Sequence, residues 1–470
     1  MTSRPLLSSD RLPEIDAAWL SVPVGLLVAG VVLLYAPVAA EMATMLAITV
    51  FCIGLWIGAP VSPWFTGLIC LGLIGVSFST DLALVGFRSA ATWLIVLGIL
   101  LGEATRQSGL ASPVERSVLR AVPETGTRDA VTVYRYLLGA LSVAGLGLVV
   151  LVPSSLVRVL ILGPILVSLS ELFTERRAKL GVFLGPLFVT YYAGSGVLTG
   201  SLANIIIAGI VEANAGLSIG WMEWLVWLGP VMAVGRAATI ALVTYAFYRP
   251  TGSDALAAEA VSEAGVEASA DERRMLFFLL IGVVIWATDS LHGLHPLYGA
   301  LAVTLLAFAP RIGVVGPDAF ADADFSIVFF LGAIFAIAEG LRQTAFTDLA
   351  ATTILSYLPA DASLPLVLGF VVVASIALTF VKEGLAVASV LTPILVSFAA
   401  NAGIPLEPVA MIEAVALNTY FFPYQSAVLV GILGLDMANS RELIRMAVLA
   451  SVTTLVVLVP IQIALFAFFF

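Results

Sequence analysis

The chain has 470 residues, 61% of them hydrophobic and 11% charged, with a mean hydropathy of +1.10 and a formal net charge of −10. No water-soluble domain of this length has that composition, which leaves an all-α polytopic membrane protein and no nucleic-acid partner. The acidic excess is spread over loops and identifies no partner by itself. Cys52 and Cys70 sit inside apolar runs and read as buried thiols. His292 and His295 share a short loop that no Cys or carboxylate cluster completes, so no metal or resident cofactor is expected.

Residues 17–38 and 42–59 read as the first two spans, with Pro60 closing the second. The run before residue 17 has mixed charge and a proline, and no cleavable leader is expected from it. Residues 63–85 are the third span. Residues 92–105 are the fourth, closing at Arg106. A basic loop with Arg116, Arg120, Arg128 and Arg135 follows. Then come two apolar runs, 136–152 and 159–172, each short for a bilayer crossing of roughly 20 residues. Pro153, Ser154, Ser155 and Arg158 separate them. Two short arms around a polar break predict a re-entrant helical hairpin over 136–172. Such a break survives in lipid only when protein or a water-filled cavity surrounds it. An arginine there marks a functional site. After the basic stretch 175–179, residues 180–213 are long enough to cross. Gly194, Ser195, Gly196, Thr199, Gly200, Ser201 and Asn204 interrupt them, which predicts a broken helix. Residues 221–247 cross back and close a first repeat, 1–248.

Residues 249–274 are rich in Ala, Glu and Asp and end in Arg273-Arg274, as a cytoplasmic linker would. The second repeat, 275–470, follows the same plan. Its spans are 275–290, 297–309 and 325–341. Its hairpin is 364–400, broken at 379–384. Its broken helix is 407–434, interrupted at Asn418-Thr419-Tyr420 and at Pro423-Tyr424-Gln425-Ser426. Residues 443–470 are the last span, about eleven in all. Pro164-Ile165-Leu166-Val167-Ser168 recurs as Pro393-Ile394-Leu395-Val396-Ser397. Arg106-Gln107 echoes Arg342-Gln343, and Leu97-Gly98 echoes Leu331-Gly332. Matches kept in order indicate a duplication, and duplicated halves with matching interruptions are the signature of a secondary transporter. With the N-terminus inside, only Arg88 and Arg342 of the 21 Lys and Arg fall outside. Arg158, Arg236 and Lys382 fall at membrane depth, and the rest lie inside, as the positive-inside rule requires.

In an inverted repeat the four interruptions meet near the midplane, where helix ends offer N–H groups to an anion and carbonyls to a cation. The first half offers Ser154, Ser155, Gly194, Ser195, Thr199, Gly200, Ser201 and Asn204. The second offers Glu383, Gly384, Asn418, Thr419, Pro423, Gln425 and Ser426. Arg158 and Lys382 supply positive charge, so a small anion suits the set, with Arg158 able to grip a carboxylate bidentately. Competing readings are close helix packing for the small residues, a carboxylate partner for Arg158, and a self-neutralising Lys382-Glu383 pair. Glu103 and Glu339 are expected to face water or a helix end, and Arg236 to snorkel or to pair. No Ser–His, Cys–His or metal set lies in the membrane, so no enzyme is expected.

Gly194-Ser195-Gly196-Val197-Leu198-Thr199-Gly200-Ser201-Leu202-Ala203-Asn204 resembles the Gly-Thr-x-x-Leu-Thr-Gly-Thr-Pro-Pro-Asn segment of the divalent anion/sodium symporter family. Pro153-Ser154-Ser155-Leu156-Val157-Arg158, followed by Pro164, is similar to that family's Ser-Asn-Thr hairpin tip, in the Ser-Asn-Thr-Ala-Arg form of its citrate and dicarboxylate exchangers. The resemblance implies eleven spans plus two hairpins, a homodimer in the inner (plasma) membrane, a fixed scaffold and a transport domain that moves as an elevator. Carried over, Ser154, Ser155, Gly194 and Gly200 would line a first sodium site, and Pro423 and Ser426 would lie near the substrate. This chain departs from the pattern at Glu383-Gly384-Leu385, which replaces the second Ser-Asn-Thr, and at Leu202-Ala203, which replaces Pro-Pro. Lys382 puts a fixed positive charge where the second sodium would sit, and Glu383 can bind a proton. The expected activity is secondary active transport of small anions, di- or tricarboxylates foremost. It is expected to be sodium-independent, by exchange or proton coupling, so that Na+ or H+ is the only cofactor to consider. The alternatives are an antiporter for an inorganic or metalloid anion and a sodium-coupled symporter.

Overall fold

The protein was analysed as a computed structural model, which describes residues 17–109, 129–251, 269–357, 359, 362–381 and 383–470. Arg116, Arg120, Arg128, Lys382 and residues 252–268 of the linker lie outside them. The described residues form helices and turns and no strand.

The first repeat opens with α1 (Ser21–Tyr35), α2 (Ala40–Gly58), α3 (Pro63–Ser77) and α4 (Ala90–Gln107). Pro63 starts α3, where a missing N–H costs nothing. The helix stops at Ser77, earlier than its apolar run, because Ser79 caps a new turn by accepting the Leu82 N–H at 3.1 Å. Then come α5 (Ala130–Leu151), α6 (Ser155–Ser170), α7 (Arg176–Tyr192), α8 (Leu202–Ala215) and α9 (Trp221–Tyr248). In the second repeat α10 (Ala270–Ala287), α11 (Leu297–Ala307), α12 (Ile327–Gln343) and α13 (Phe346–Leu355) lead to α14 (Leu364–Thr379) and α15 (Gly384–Ala402). The chain ends with α16 (Leu406–Leu417), α17 (Ala427–Leu433) and α18 (Ser440–Phe469). The sequence gives no warning of α13, which leaves α12 at an angle of 73°.

The predicted breaks fall where expected, with one correction of length. The first arm of the first hairpin begins at Ala130, not 136, because Asp129 caps it by accepting the Thr132 N–H at 2.6 Å. The resulting 22-residue helix is long enough to cross a membrane, whereas α6 has 16 residues. Six helices among the described residues are long and apolar enough to span, or seven if α12 and α13 count as one. Helices α3, α6, α8, α11 and α14 are apolar but shorter.

The two halves share local detail. At the end of α4, Arg106 Nε and Nη2 and Gln107 Nε2 donate to the Glu103 carboxylate at 2.9, 2.5 and 2.7 Å. At the end of α12, Arg342 and Gln343 repeat the arrangement on Glu339 at 2.8, 2.6 and 2.8 Å. Both α9 and α18 contain a π-helical stretch, Gly229–Gly235 and Thr454–Leu458.

Between apolar helices in lipid the hydrophobic effect gives little, and close packing does the work. Gly67 of α3 shows it: a Cβ there would sit 2.6 Å from the Phe329 carbonyl of the α12 segment. Two apolar cores result. One joins α2, α3, α4, α8, α11, α12, α15 and α16. The other joins α5, α6, α7, α17 and the first turns of α18. The interrupted helices lie where the two meet.

Candidate functional site

Four chain breaks build the site: 152–154 between α5 and α6, 193–201 between α7 and α8, 380–383 between α14 and α15, and 418–426 between α16 and α17. Each releases backbone groups from helical pairing, and the polar side chains of the site take them up.

Arg158 closes the first break. It is fully buried. Its Nη1 donates to the Val152 carbonyl at 2.7 Å, and its Nε to Thr190 O at 3.2 Å. Its Nη2 donates to Thr190 O at 3.0 Å, Gly200 O at 2.8 Å and Ser155 Oγ at 3.0 Å. Ser155 Oγ itself donates to Gly200 O at 3.1 Å, while Ser154 caps α6 through the Val157 N–H. Glycine is required beside the guanidinium: a Cβ on Gly194 would lie 2.5 Å from Gly200 O and 3.1 Å from Arg158 Nη2. A Cβ on Gly200 would lie 2.6 Å from Gly194 O. The carboxylate partner weighed for Arg158 is not there: among the described residues three carbonyls and a hydroxyl hold it.

Arg236 neither snorkels nor meets a carboxylate among the described residues. It follows the π-helical stretch of α9, which turns it inward, and it is fully buried. Its Nη1 donates to Tyr192 O at 3.0 Å and Ser195 Oγ at 2.8 Å, its Nη2 to Thr419 Oγ1 at 2.7 Å, and its Nε to Thr454 Oγ1 at 3.0 Å. One guanidinium thus joins both broken helices to α18.

Between the arginines the broken helices are pinned by amides. Asn204 Nδ2 donates to the carbonyls of Gly194 and Val197 at 3.0 and 2.9 Å. Asn418 Nδ2 donates to Asn204 Oδ1 at 2.9 Å, and Ser201 Oγ to Asn418 Oδ1 at 2.7 Å. Tyr191 hydrogen-bonds Ser426 and stacks on Tyr420 at 5.3 Å. Gln425 ties the second broken helix to the second hairpin tip: Oε1 accepts from the N–H of Phe421 and Phe422, and Nε2 donates to Thr379 O at 3.0 Å. Gly384 lets α15 approach α16, since a Cβ there would be 2.9 Å from Leu417 O.

The structure therefore brings Ser155, Arg158, Gly194, Ser195, Gly200, Ser201, Asn204, Asn418, Thr419 and Ser426 together at the breaks, while Ser154 only caps α6 and Gln425 braces the second break against Thr379. Thr199 turns aside and accepts from Trp221 Nε1 at 3.0 Å. Pro423 only opens a 3-10 turn. Glu383 lines a cavity of about 320 Å³ with Trp56, Trp64, Asp324, Ser326, Phe330 and Leu385. A second cavity, of about 400 Å³, lies toward the other end of α12 and is lined by Arg88, Glu212, Asn214 and Glu339.

Four residues of the candidate site are not singled out as site residues in the sequence. Arg236 carries a signal, a charge at membrane depth inside an apolar run, but it reads as a side chain that snorkels or pairs. Tyr191 and Tyr192 are indistinguishable by type from lipid-facing tyrosines. Glu413 of α16, without exposed surface, accepts from Thr392 Oγ1 at 2.9 Å through Oε1, and its Oε2 has no partner among the described residues. A carboxylate within an otherwise apolar run, 408–417, was the signal for it.

The sequence model of the sodium:sulfate symporter transmembrane region matches residues 16–468. A membrane protein of Cupriavidus necator is 26% identical over 303 residues, covering 58% of this chain, and the chain spans only 56% of that protein's length. The fold is similar to the YdaH transporter of Alcanivorax borkumensis, with a TM-score of 0.61, 14% identity, and coverage of 87% of this chain and 99% of the other. It is also similar to MtrF of Neisseria gonorrhoeae, described as illuminating a class of antimetabolite efflux pumps, with a TM-score of 0.50, 17% identity, and coverage of 98% and 96%.

Proposed function

This chain belongs to the divalent anion/sodium symporter family, the family of the sodium:sulfate symporter transmembrane region, and from that premise we propose that it carries small anions, di- or tricarboxylates foremost, without sodium. It is a transporter and not an enzyme. The proposal extends to eleven spans with two re-entrant hairpins, a homodimer in the inner membrane with cytoplasmic N-termini, and an elevator motion that carries the site across.

One observation carries the sodium-independent reading: the Arg158 guanidinium rests on Gly200 O, Ser155 Oγ, Thr190 O and Val152 O. Converging carbonyls and a hydroxyl at a helix break are what a sodium ion would use. Ser155 and Gly200 are two of the residues that the family resemblance gives to the first sodium site. Here a tethered cation fills that role. A free sodium ion a few ångströms away would be repelled by it in a medium of low dielectric constant. Arg236 puts a second buried cation on Thr419 and Ser195. Two uncompensated positive charges are costly to bury, by several kcal/mol each. A dianion entering between the breaks offsets both and lowers the barrier to moving them through the membrane. Lys382 would add to this charge, next to Glu383 at the second tip.

Anion counterflow in proteoliposomes with sodium replaced by choline tests the reading. Sustained exchange of a labelled dicarboxylate is expected. Strict dependence on sodium would return the protein to the symport alternative, and exchange of arsenate or sulfate alone would favour an inorganic-anion antiporter.

A further inference from the structure

Glu413 has no part in the network that Arg158 and Arg236 organise. It lies in α16 five residues before Asn418, about 7.5 Å along the helix axis. Its carboxyl is fully buried, with Thr392 Oγ1 of α15 as donor to one oxygen and nothing on the other among the described residues. An ionised carboxylate so placed would face a penalty of several kcal/mol that one hydroxyl cannot offset. A carboxylic acid avoids it and gains a proton to donate. Pro393, beside Thr392, cannot pair with the carbonyl of Ser389 four residues back, which leaves an acceptor on the same helix.

The duplication shows that the fold does not need this carboxyl. α7 ends at Tyr192 and α16 at Leu417, while α8 and α17 begin just after Ser201 and Ser426. Both pairs place Phe188 at the equivalent of Glu413. Pairing Pro164 with Pro393 places Gly163 at the equivalent of Thr392. Phe188 is fully buried, so the first repeat fills the position with an apolar ring. Only one half keeps a group that is expensive to bury.

We propose that Glu413 is a proton-binding site whose protonation is coupled to binding of the anion between the broken helices. This rests on the transporter reading above. Without anion, an ionised Glu413 offsets one of the two arginine charges. A bound anion takes over that role, and the carboxylate takes one proton from the aqueous phase that the site then faces (COO⁻ + H⁺ → COOH). Anion and proton cross together, and both leave on the far side. Other ionisable groups on the packed elements are few. α14 and the 193–196 turn have none; α8 brings Glu212, which lies 3.6 Å from His295 at its far end. Glu383 occupies the position before α15 without a side-chain capping bond, Glu407 sits in the first turn of α16, and Arg236 reaches the break through Thr419.

Two measurements on the full chain test it. Infrared difference spectra of wild type against Glu413→Gln read the protonated carboxyl without transport. With succinate bound, a carboxylic-acid carbonyl stretch is expected at neutral pH, weaker in the absence of succinate, shifted in Thr392→Val and lost in Glu413→Gln. No such difference at any pH from acid to neutral overturns the proposal. In proteoliposomes with a trapped pH dye, wild type should acidify the lumen as succinate enters, and the protons moved per succinate should fall to zero in Glu413→Gln. A band without acidification, or equal acidification in both proteins, also overturns it. Failure of succinate, citrate and every other anion in wild-type counterflow would instead defeat the transporter reading, and the infrared band would still decide whether Glu413 holds a proton.

Discussion

The two buried arginines look alike but hold different things. Arg158 supplies the side-chain donor to Val152 O and Thr190 O, two backbone carbonyls at chain breaks. Arg236 donates chiefly to hydroxyls that have bonds of their own: Thr419 to Val415 O at 2.8 Å, Thr454 to Ala450 O at 2.8 Å and Ser195 to Tyr192 O at 3.2 Å. Leaving a buried carbonyl unpaired costs about 1–3 kcal/mol, so Arg158→Met is expected to lower thermal stability more than Arg236→Met. Arg158→Lys should not restore wild-type stability, because one ammonium cannot reach the carbonyls that a planar fork spans. Melting of the purified variants checks the order, and a larger loss in Arg236→Met would contradict it.

At the scale of elements, the hairpins are distinguished by where their helices begin. α5 borrows six residues from the preceding loop through the Asp129 cap, and so reaches the length of a crossing. Its tip at 152–154 is nonetheless locked to the end of α7 and the 193–201 break by Arg158, with Val152 and Pro153 buried and Ser154 half-buried. A helix that ends on a buried break and turns back is what the proposed re-entrant hairpin requires. The expected outcome in a variant lacking Cys52 and Cys70 is that single cysteines at 153–158 label from the cytoplasm. Those at 380–385 should label from outside. Labelling of both tips from one face in all conditions would mean two full crossings instead.

For the whole molecule, the decisive quantity is the charge gathered where the two cores meet. Arg158 and Arg236 are there without carboxylate partners among the described residues. A ligand that supplies two negative charges should stabilise the folded protein more than one that supplies a single charge. A thermal-shift screen of mono-, di- and tricarboxylates, sulfate and phosphate is expected to rank dianions and trianions above monoanions. At 100 times its dissociation constant a ligand adds about 2.7 kcal/mol. Equal shifts for acetate and succinate would remove charge neutralisation as the basis of selection.

Sequence by itself determined the membrane class and the position of the four breaks that build the candidate site, and it pointed to a duplication. Those follow from composition, from repeated Pro-Ile-Leu-Val-Ser and Arg-Gln motifs, and from polar residues in apolar runs, all of which are local. Most of the candidate site was legible for the same reason, because a polar group is affordable at membrane depth only where backbone has been released for it. Only the tertiary structure decided what those groups do. Arg158 bonds residues 32 and 42 positions away, and Arg236 reaches across 183 and 218 positions to Thr419 and Thr454. No spacing rule reports such partners. Whether a buried charge meets a carboxylate, a carbonyl or a ligand depends on which helices pack together, and the same holds for Glu413, whose lone hydroxyl donor comes from another helix.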